Sequence, residues 1–324
     1  MATPSVTQET VRTAAASPVR SSFGLPLLLL SAAGLLGLSV LLAGQAAPAV
    51  AWPWLLGVVA LLLVGAVGIR QSAQGESRLA RILPAAATLI LALLAAEAVL
   101  RAYAVPTGLI PTPSKVAQSL WAARNVLLLD AYYTFVLEAL LGFVIGTLAG
   151  LGLALLAVRF RILERGVLPY AALLSSVPIV ALAPVIIKAA GLGWPSKTII
   201  VAITVLFPVV INAVRGLQSA QPMHLDLMHS YAASPAQTFR EVRWPSALPF
   251  IFTALRVSST LALINAIVAE FFGTEGHGLG FRIQIEVGRF GLDIVWAAIV
   301  VASVIGISFY LLISALERYV LRRN

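Results

Sequence analysis

The feature that most constrains this chain is a series of stretches, each about 20 residues long, with almost no charge. They fall at 24–44, 50–69, 82–104, 131–158, 166–190, 198–215, 247–272 and 292–316. Inside a bilayer no water can hydrogen-bond a bare backbone, so each stretch must satisfy its own amides as a helix. The expected fold is an all-α integral membrane protein with about eight transmembrane helices. Composition agrees: 60% of the 324 residues are apolar and 11% are charged, whereas soluble domains average about 25% charged. So few charges cannot coat a soluble globule of this size.

Residues 1–22 are polar and carry only Glu9, Arg12 and Arg20. The apolar run behind them is too long for a secretory signal and lacks a small-residue cleavage site. The expectation is a disordered cytoplasmic tail at 1–22, three N-terminal transmembrane helices over 23–104, and an extracytoplasmic loop over 105–130. Within that loop, Lys115 to Leu129 is amphipathic, with Val116, Leu120 and Trp121 at helical spacing, and should lie along the membrane surface. Residues 131–324 hold the remaining spans and the main cytoplasmic segment, 216–246. With the N-terminus inside, fourteen basic residues fall in inner segments: Arg12, Arg20, Arg70, Arg78, Arg81, Arg159, Arg161, Arg165, Arg215, Arg240, Arg243, Arg318, Arg322 and Arg323. Seven fall outside, namely Arg101, Lys115, Arg124, Lys188, Lys197, Arg282 and Arg289. This bias places both termini in the cytoplasm.

Several chemistries are excluded. The net charge of +9 comes from short basic clusters between spans, which orient a chain in a bilayer rather than bind nucleic acid. The absence of cysteine removes disulfides, thiol catalysis and Cys-ligated metals. Gly191-Leu-Gly193-Trp-Pro-Ser196-Lys197-Thr198 approaches a phosphate loop, but Ser196 stands where the loop needs glycine. His224, His229 and His277 lack metal-ligand spacing. Gly276-His277-Gly278-Leu279-Gly280 has no strand before it and reads as a turn. No catalytic residue, metal site or cofactor is expected in this chain.

The segment 216–246 is ordered by its own signals. Ser234 can cap a helix that has Pro235 in its first position, with Gln237 reaching back to the cap. A shorter helix fits Met223 to Tyr231, after Pro222. The two meet at Ala232-Ala233 in an elbow that exposes Leu225, Met228 and Tyr231, which could lie on lipid headgroups or dock a partner.

These residues resemble a known family. Permeases of bacterial ABC importers carry a cytoplasmic loop E-A-A-x-x-x-G, followed nine residues later by I-x-L-P. Here the corresponding runs are Asp226-Leu227-Met228-His229-Ser230-Tyr231-Ala232 and Val242-Arg243-Trp244-Pro245. Pro111-Thr-Pro113-Ser-Lys-Val116, Ser246-Ala-Leu-Pro249, Ala254-Leu-Arg256-Val257, Ala269-Glu270 and Gly278-Leu-Gly280 resemble the nitrate/sulfonate/taurine branch. The resemblance implies a type I importer permease core over 131–324, acting as a homodimer. It further implies a cytoplasmic ABC ATPase dimer carrying the ATP and Mg, and an extracytoplasmic solute-binding protein. The ATPase-coupling residues would be Asp226, Leu227, Met228, His229, Tyr231, Ala232, Ser234 and Phe239. The family's glycine is Ala232 here, and alanine adopts a left-handed backbone only at a cost of about 1 kcal/mol or more, which leaves the elbow's turn open. The first three spans exceed the single leading helix of that branch.

Gly142, Gly146 and Gly150 share one face of the fourth span and suit close helix packing. Prolines at 178, 184 and 208 interrupt spans and often border a path. Intramembrane polar groups are functional suspects: Glu138, Lys188, Asn212, Arg256, Asn265 and Glu270. Glu138, Lys188 and Glu270 lie toward outer ends where they are expected to reach water, and Arg256 and Asn212 suit inter-helix structure. The translocation path is expected to include Pro184, Phe207, Asn212, Asn265 and Glu270. Only Arg256 is a basic residue deep in a span, and the aromatics Trp194, Phe207, Phe271 and Phe272 resemble vitamin-type members of the branch. The resemblance therefore favours riboflavin or a thiamine-precursor pyrimidine over taurine, sulfonate or nitrate. A stand-alone secondary transporter or channel would need midplane carboxylates and two related halves, which are not evident.

Overall fold

A computed structural model describes residues 24–43, 52–72, 78–160, 171, 173 and 178–322. The tail expected at 1–22 lies outside the described residues. Two compact units divide the chain, Met1–Val105 and Pro106–Asn324.

The first unit holds α1 (Gly24–Leu42), α2 (Trp52–Ser72) and α3 (Arg78–Ala102). Buried positions on α1 recur every three or four residues, at Leu28, Ser31, Leu35, Ser39 and Leu42, which is one face of a helix. That face packs with Val58, Leu91 and Ala98. Polar groups in this apolar setting are matched internally. Ser31 donates to the Leu61 carbonyl at 2.6 Å, and the Arg101 guanidinium donates to the Ser39 carbonyl at 2.7 Å while pairing with Glu97 at 2.5 Å. An unmatched charge here would be costly, so the two charges that mark the end of the third span neutralise each other and tie α3 to α1.

The second unit contains α4 (Pro113–Ala122), α5 (Arg124–Arg159), α6 (Ile179–Ala190), α7 (Trp194–Gln218), α8 (Pro222–Ser230), α9 (Pro235–Glu270), α10 (Leu279–Gly288) and α11 (Leu292–Leu321). Its axis is α7, which packs most extensively against α5 and α9. The glycine seam explains how closely α5 approaches. A Cβ at Gly146 would run into the Ala202 carbonyl, and one at Gly142 would lie 2.6 Å from the Val201 Cβ. Small residues thus let two backbones meet where lipid supplies no hydrophobic drive for helix association. The Arg256 guanidinium reaches Glu317 at 3.3 Å, joining α9 to α11.

Among the described residues seven helices are long and apolar enough to cross a membrane. The expected fifth span, 166–190, falls partly outside them; its described part, α6, has 12 residues and rises about 18 Å, too short to cross alone. In the 105–130 region a helix forms over Pro113–Ala122 and breaks at Ala123 (φ −92°, ψ 7°), and the next helix runs from Arg124, earlier than the expected 131. Val116 and Leu120, half-buried, pack against Leu127, Ala297 and Ala298. Trp121 is exposed, with the Arg124 guanidinium 4.7 Å from its ring centroid.

The elbow forms between α8 and α9. Ser234 accepts from the Gln237 N–H at 3.3 Å, and the Gln237 side chain accepts from the Ser234 N–H at 2.8 Å, completing a reciprocal cap. At the end of α8, Ala233 N–H bonds the Met228 carbonyl and Ala232 N–H bonds the His229 carbonyl, both at 3.0 Å. This is the Schellman pattern, which requires a left-handed residue. Ala232 supplies it at φ +50°, so alanine makes the same turn a glycine would, under strain. Ala232→Gly should raise the thermal unfolding temperature of the detergent-purified chain by relieving about 1 kcal/mol, and Ala232→Val should lower it. Equal temperatures for all three would contradict the strained turn.

Candidate functional site

The features at the two ends of α7 differ in kind. Its 25 residues span about 37 Å; the elbow follows its C-terminus, and a buried polar cluster surrounds its N-terminus.

At the elbow end, Met223, Leu227 and Tyr231 recur every four residues on α8 and are 70%, 52% and 77% exposed. They form one apolar stripe. Leu225 and Met228, expected to be outward, are half-buried. Leu225 and His229, also four apart, turn toward the end of α5 and line a cavity with Leu155, Val158 and Arg159. An offset of two residues is about 200° around a helix, so the helix presents two opposite faces. Asp226 is exposed, and Phe239 packs beside Trp244, ring centroids 6.2 Å apart.

At the other end, α10 starts without a side-chain cap of its own. The first four N–H groups of a helix have no partner within it. Here Gly278 N–H donates to Asp130 at 3.0 Å, Leu279 N–H to the Thr134 hydroxyl at 2.8 Å, and Gly280 and Phe281 N–H to one Glu270 oxygen at 2.5 and 3.3 Å. Thr134 donates to the other Glu270 oxygen at 2.6 Å, and Arg282 donates to Asp130 at 2.8 Å. Carboxylates at a helix N-terminus are further favoured by its dipole. The glycines are required by space: a Cβ on Gly278 (φ +120°) would strike the Glu270 carboxyl, and one on Gly280 the Ile267 carbonyl. The Gly276–Gly280 run, which reads as a plain turn in sequence, is the seat for Glu270.

Lys197 is fully buried beside this seat; its ammonium donates to the Leu192 carbonyl and, at 3.2 Å, to that of Gly193. It lies among Glu138, Glu270 and Glu275. Glu138 sits next to Glu270 on a π-helical stretch of α5, Tyr132–Leu140. A gap of about 10 Å³ separates Tyr133, Glu138, Lys197, Glu275 and His277, room for about one water. The expectation that Glu138 and Glu270 reach water is corrected: they are 2% and 0% exposed, Glu270 because the start of α10 folds over it. Lys188 does remain exposed. Asp130, Thr134 and Arg282 carry no local signal in the sequence, since their partners are distant along the chain.

The other expected path residues do not converge with Glu270. Asn212 and Asn265 donate to carbonyls of their own helices, Pro208 and Leu261, each at 2.8 Å. Among the described residues Asn212 makes no inter-helix bond of the kind expected, whereas Arg256 does. Phe207 packs against the cluster holding Ala154 and Val210, and Pro184 is exposed on α6. The cluster joins α5, α7, α9 and α10.

Residues 142–322 match the family model described as binding-protein-dependent transport system inner membrane component. The chain belongs to this family of ABC importer permeases. The riboflavin transport system permease protein RibX of Chloroflexus aurantiacus is 32% identical over 241 residues, 74% of this chain and 89% of the relative. The formylaminopyrimidine transport permease protein ThiX of Halalkalibacterium halodurans is 30% identical over 56% of this chain and 72% of its own. The taurine transport system permease protein TauC of Escherichia coli is 33% identical over 48% and 56%. The permease is thus a multi-pass inner-membrane transport subunit for a small solute. The matched region takes in the elbow, Glu270 and α10, while α1 to α3 lie before it.

In this permease Gly280→Ala should displace Glu270 and leave buried donors unpaired. The expected loss is about 3 kcal/mol or more, read as a marked fall in unfolding temperature in detergent. Glu270→Gln keeps an acceptor and should lose less. Unfolding of Gly280→Ala at the wild-type temperature would refute the seat.

Proposed function

We propose that this permease is the membrane path of an ATP-driven importer and that Met223, Leu227 and Tyr231 seat on a cytoplasmic ABC ATPase dimer. The observation that carries this reading is the exposed apolar stripe on α8. It lies on the helix that bears the Asp226–Ala232 motif, held in place by the Ser234 cap and the Schellman turn. ATP and Mg belong to that partner, as no phosphate-loop sequence occurs here. A homodimer of permeases, an extracytoplasmic solute-binding protein and cytoplasmic termini complete the assembly. The bias of basic residues toward the elbow side supports the orientation, and reporter tags at Met1 and Asn324 on opposite faces would refute it.

For the substrate we favour riboflavin or a pyrimidine vitamin precursor. Arg256 is matched by Glu317 and Lys197 lies among three carboxylates, so neither is free to face an anion. Two of the relatives are named for riboflavin and formylaminopyrimidine. Taurine, sulfonate or nitrate is the second reading, supported by the taurine permease. Uptake into vesicles holding the permease, its ATPase and its binding protein should be competed by riboflavin or the pyrimidine. Saturable taurine uptake indifferent to both would reverse the preference.

The coupling reading is tested by Leu227→Asp with Tyr231→Asp. Each buried, unpaired carboxylate would cost several kcal/mol, so co-purification with the ATPase and solute-stimulated hydrolysis should both be lost while membrane insertion is kept. Wild-type stoichiometry and stimulation would mean that the stripe rests on lipid headgroups instead. A stand-alone channel or secondary transporter would move solute without the ATPase.

A further inference from the structure

The elbow's second face borders a cavity apart from the exposed Met223–Leu227–Tyr231 stripe. Between the last turn of α5 and the start of α9 lies this cavity of about 690 Å³, lined by Arg159, His229, Arg243 and apolar side chains that include Leu155, Val158 and Phe239. Among the described residues, neither Arg159 nor Arg243 makes an ion pair; the Arg159 guanidinium has only the Phe160 ring, 5.9 Å from its centroid. Among the described residues, the carboxylates nearest in sequence to His229 and Arg243 point elsewhere: Asp226 is exposed, and Glu241 pairs with Arg240 at 3.7 Å.

The backbone adds positive character. Pro235 and Ala236, the first two residues of α9, also line the cavity. The positive end of the helix dipole therefore opens into it. The single side-chain cap, from Ser234, goes to Gln237, which leaves the Ala236 N–H available. The π-helical stretch Phe239–Arg243 brings Arg243 to the same cavity. Two guanidiniums, a histidine and a helix N-terminus converge, and among the described residues no carboxylate lines the cavity to match them.

The apolar part of the lining says which anion fits. Leu155, one turn before Arg159, is 40% exposed on the surface of α5, and Val158, the residue before Arg159, is half-buried. The cavity therefore runs from a lipid-facing helix surface to a cationic mouth at the end of a spanning helix. A group with a phosphate at one end and hydrocarbon at the other matches both parts. Basic pockets between helices at the cytoplasmic boundary hold anionic lipid headgroups by this combination, and guanidinium forks suit phosphate oxygens.

We infer that this cavity is a binding site for the phosphate of an anionic phospholipid, held by Arg159 and Arg243. Because Leu225 and His229 form one wall and the Met223–Leu227–Tyr231 stripe is on the opposite face of α8, an occupied cavity braces the elbow from behind. The binding step stands apart from the coupling proposal, and it is measured on the permease alone.

The test is native mass spectrometry of the full chain in detergent, titrated with palmitoyl-oleoyl phosphatidylglycerol, with phosphatidylcholine of the same chains, and with sodium phosphate. Wild type should retain phosphatidylglycerol over phosphatidylcholine, and R159Q/R243Q should weaken it by about tenfold or more. R240Q, whose side chain is 86% exposed and outside the cavity, should bind as wild type. Should the double variant fail to fold, A236W keeps both arginines, fills the mouth with an indole and should also weaken phosphatidylglycerol. Equal affinity for both lipids, or retention of phosphatidylglycerol by R159Q/R243Q and A236W, would overturn the site. Displacement of phosphatidylglycerol by millimolar phosphate would assign the cavity to a free anion and overturn the lipid.

Discussion

The N–H groups that open α10 have to find acceptors away from water, and the way they do so organises one whole end of the second unit. Glu270 brings the end of α9 to the seat, while Asp130 and Thr134 bring α5. Lys197 brings α7 into the same cluster. Taking charges out of water is expensive, and only a nearly complete set of partners makes it tolerable. Removing any member strands the others. The glycines at 278 and 280 follow from that demand, since any side chain there would occupy the space of the Glu270 carboxyl or the Ile267 carbonyl.

The elbow end is built on the opposite principle. Its backbone is fixed locally by a capping box and a Schellman turn, but its large side chains are left uncovered. A rigid frame with an apolar face suits a docking element, because little conformational entropy is lost when a partner covers it. Close packing of α7 against α5 and α9 connects the two ends. A displacement of the elbow therefore has a packed route to the buried cluster along α7 and α9.

How much of this was legible in the sequence depended on distance along the chain. The spans could be read because a bilayer dictates length and hydropathy residue by residue, and the Ser234–Gln237 cap because its partners are three apart. The left-handed turn at Ala232 could not, since local preference opposes alanine there and only the surrounding helices enforce it. Leu225 and Met228 are half-buried rather than fully outward, because the roll of α8 is not fixed by its local pattern. Glu270 reads as a group near water for a similar reason: α10, which covers it, is recruited by a glycine run whose purpose shows only once Glu270 is seated in it. Lys197 was hidden inside a false likeness to a phosphate loop, though its position next to two glycines was in fact a signal, since its ammonium bonds their turn.

The central claim is that one end of the permease is locked by its own buried partners and the other is left open for an ATPase. Hydrogen–deuterium exchange of the full chain in lipid, with and without the ATPase and a non-hydrolysable nucleotide, tests it most directly. The amides of Gly278, Leu279, Gly280 and Phe281 should be protected under both conditions, and those of the elbow from Met223 to Ala233 should gain protection only when the ATPase is added. An elbow whose exchange ignores the ATPase, or α10 amides that exchange freely in its absence, would contradict the account.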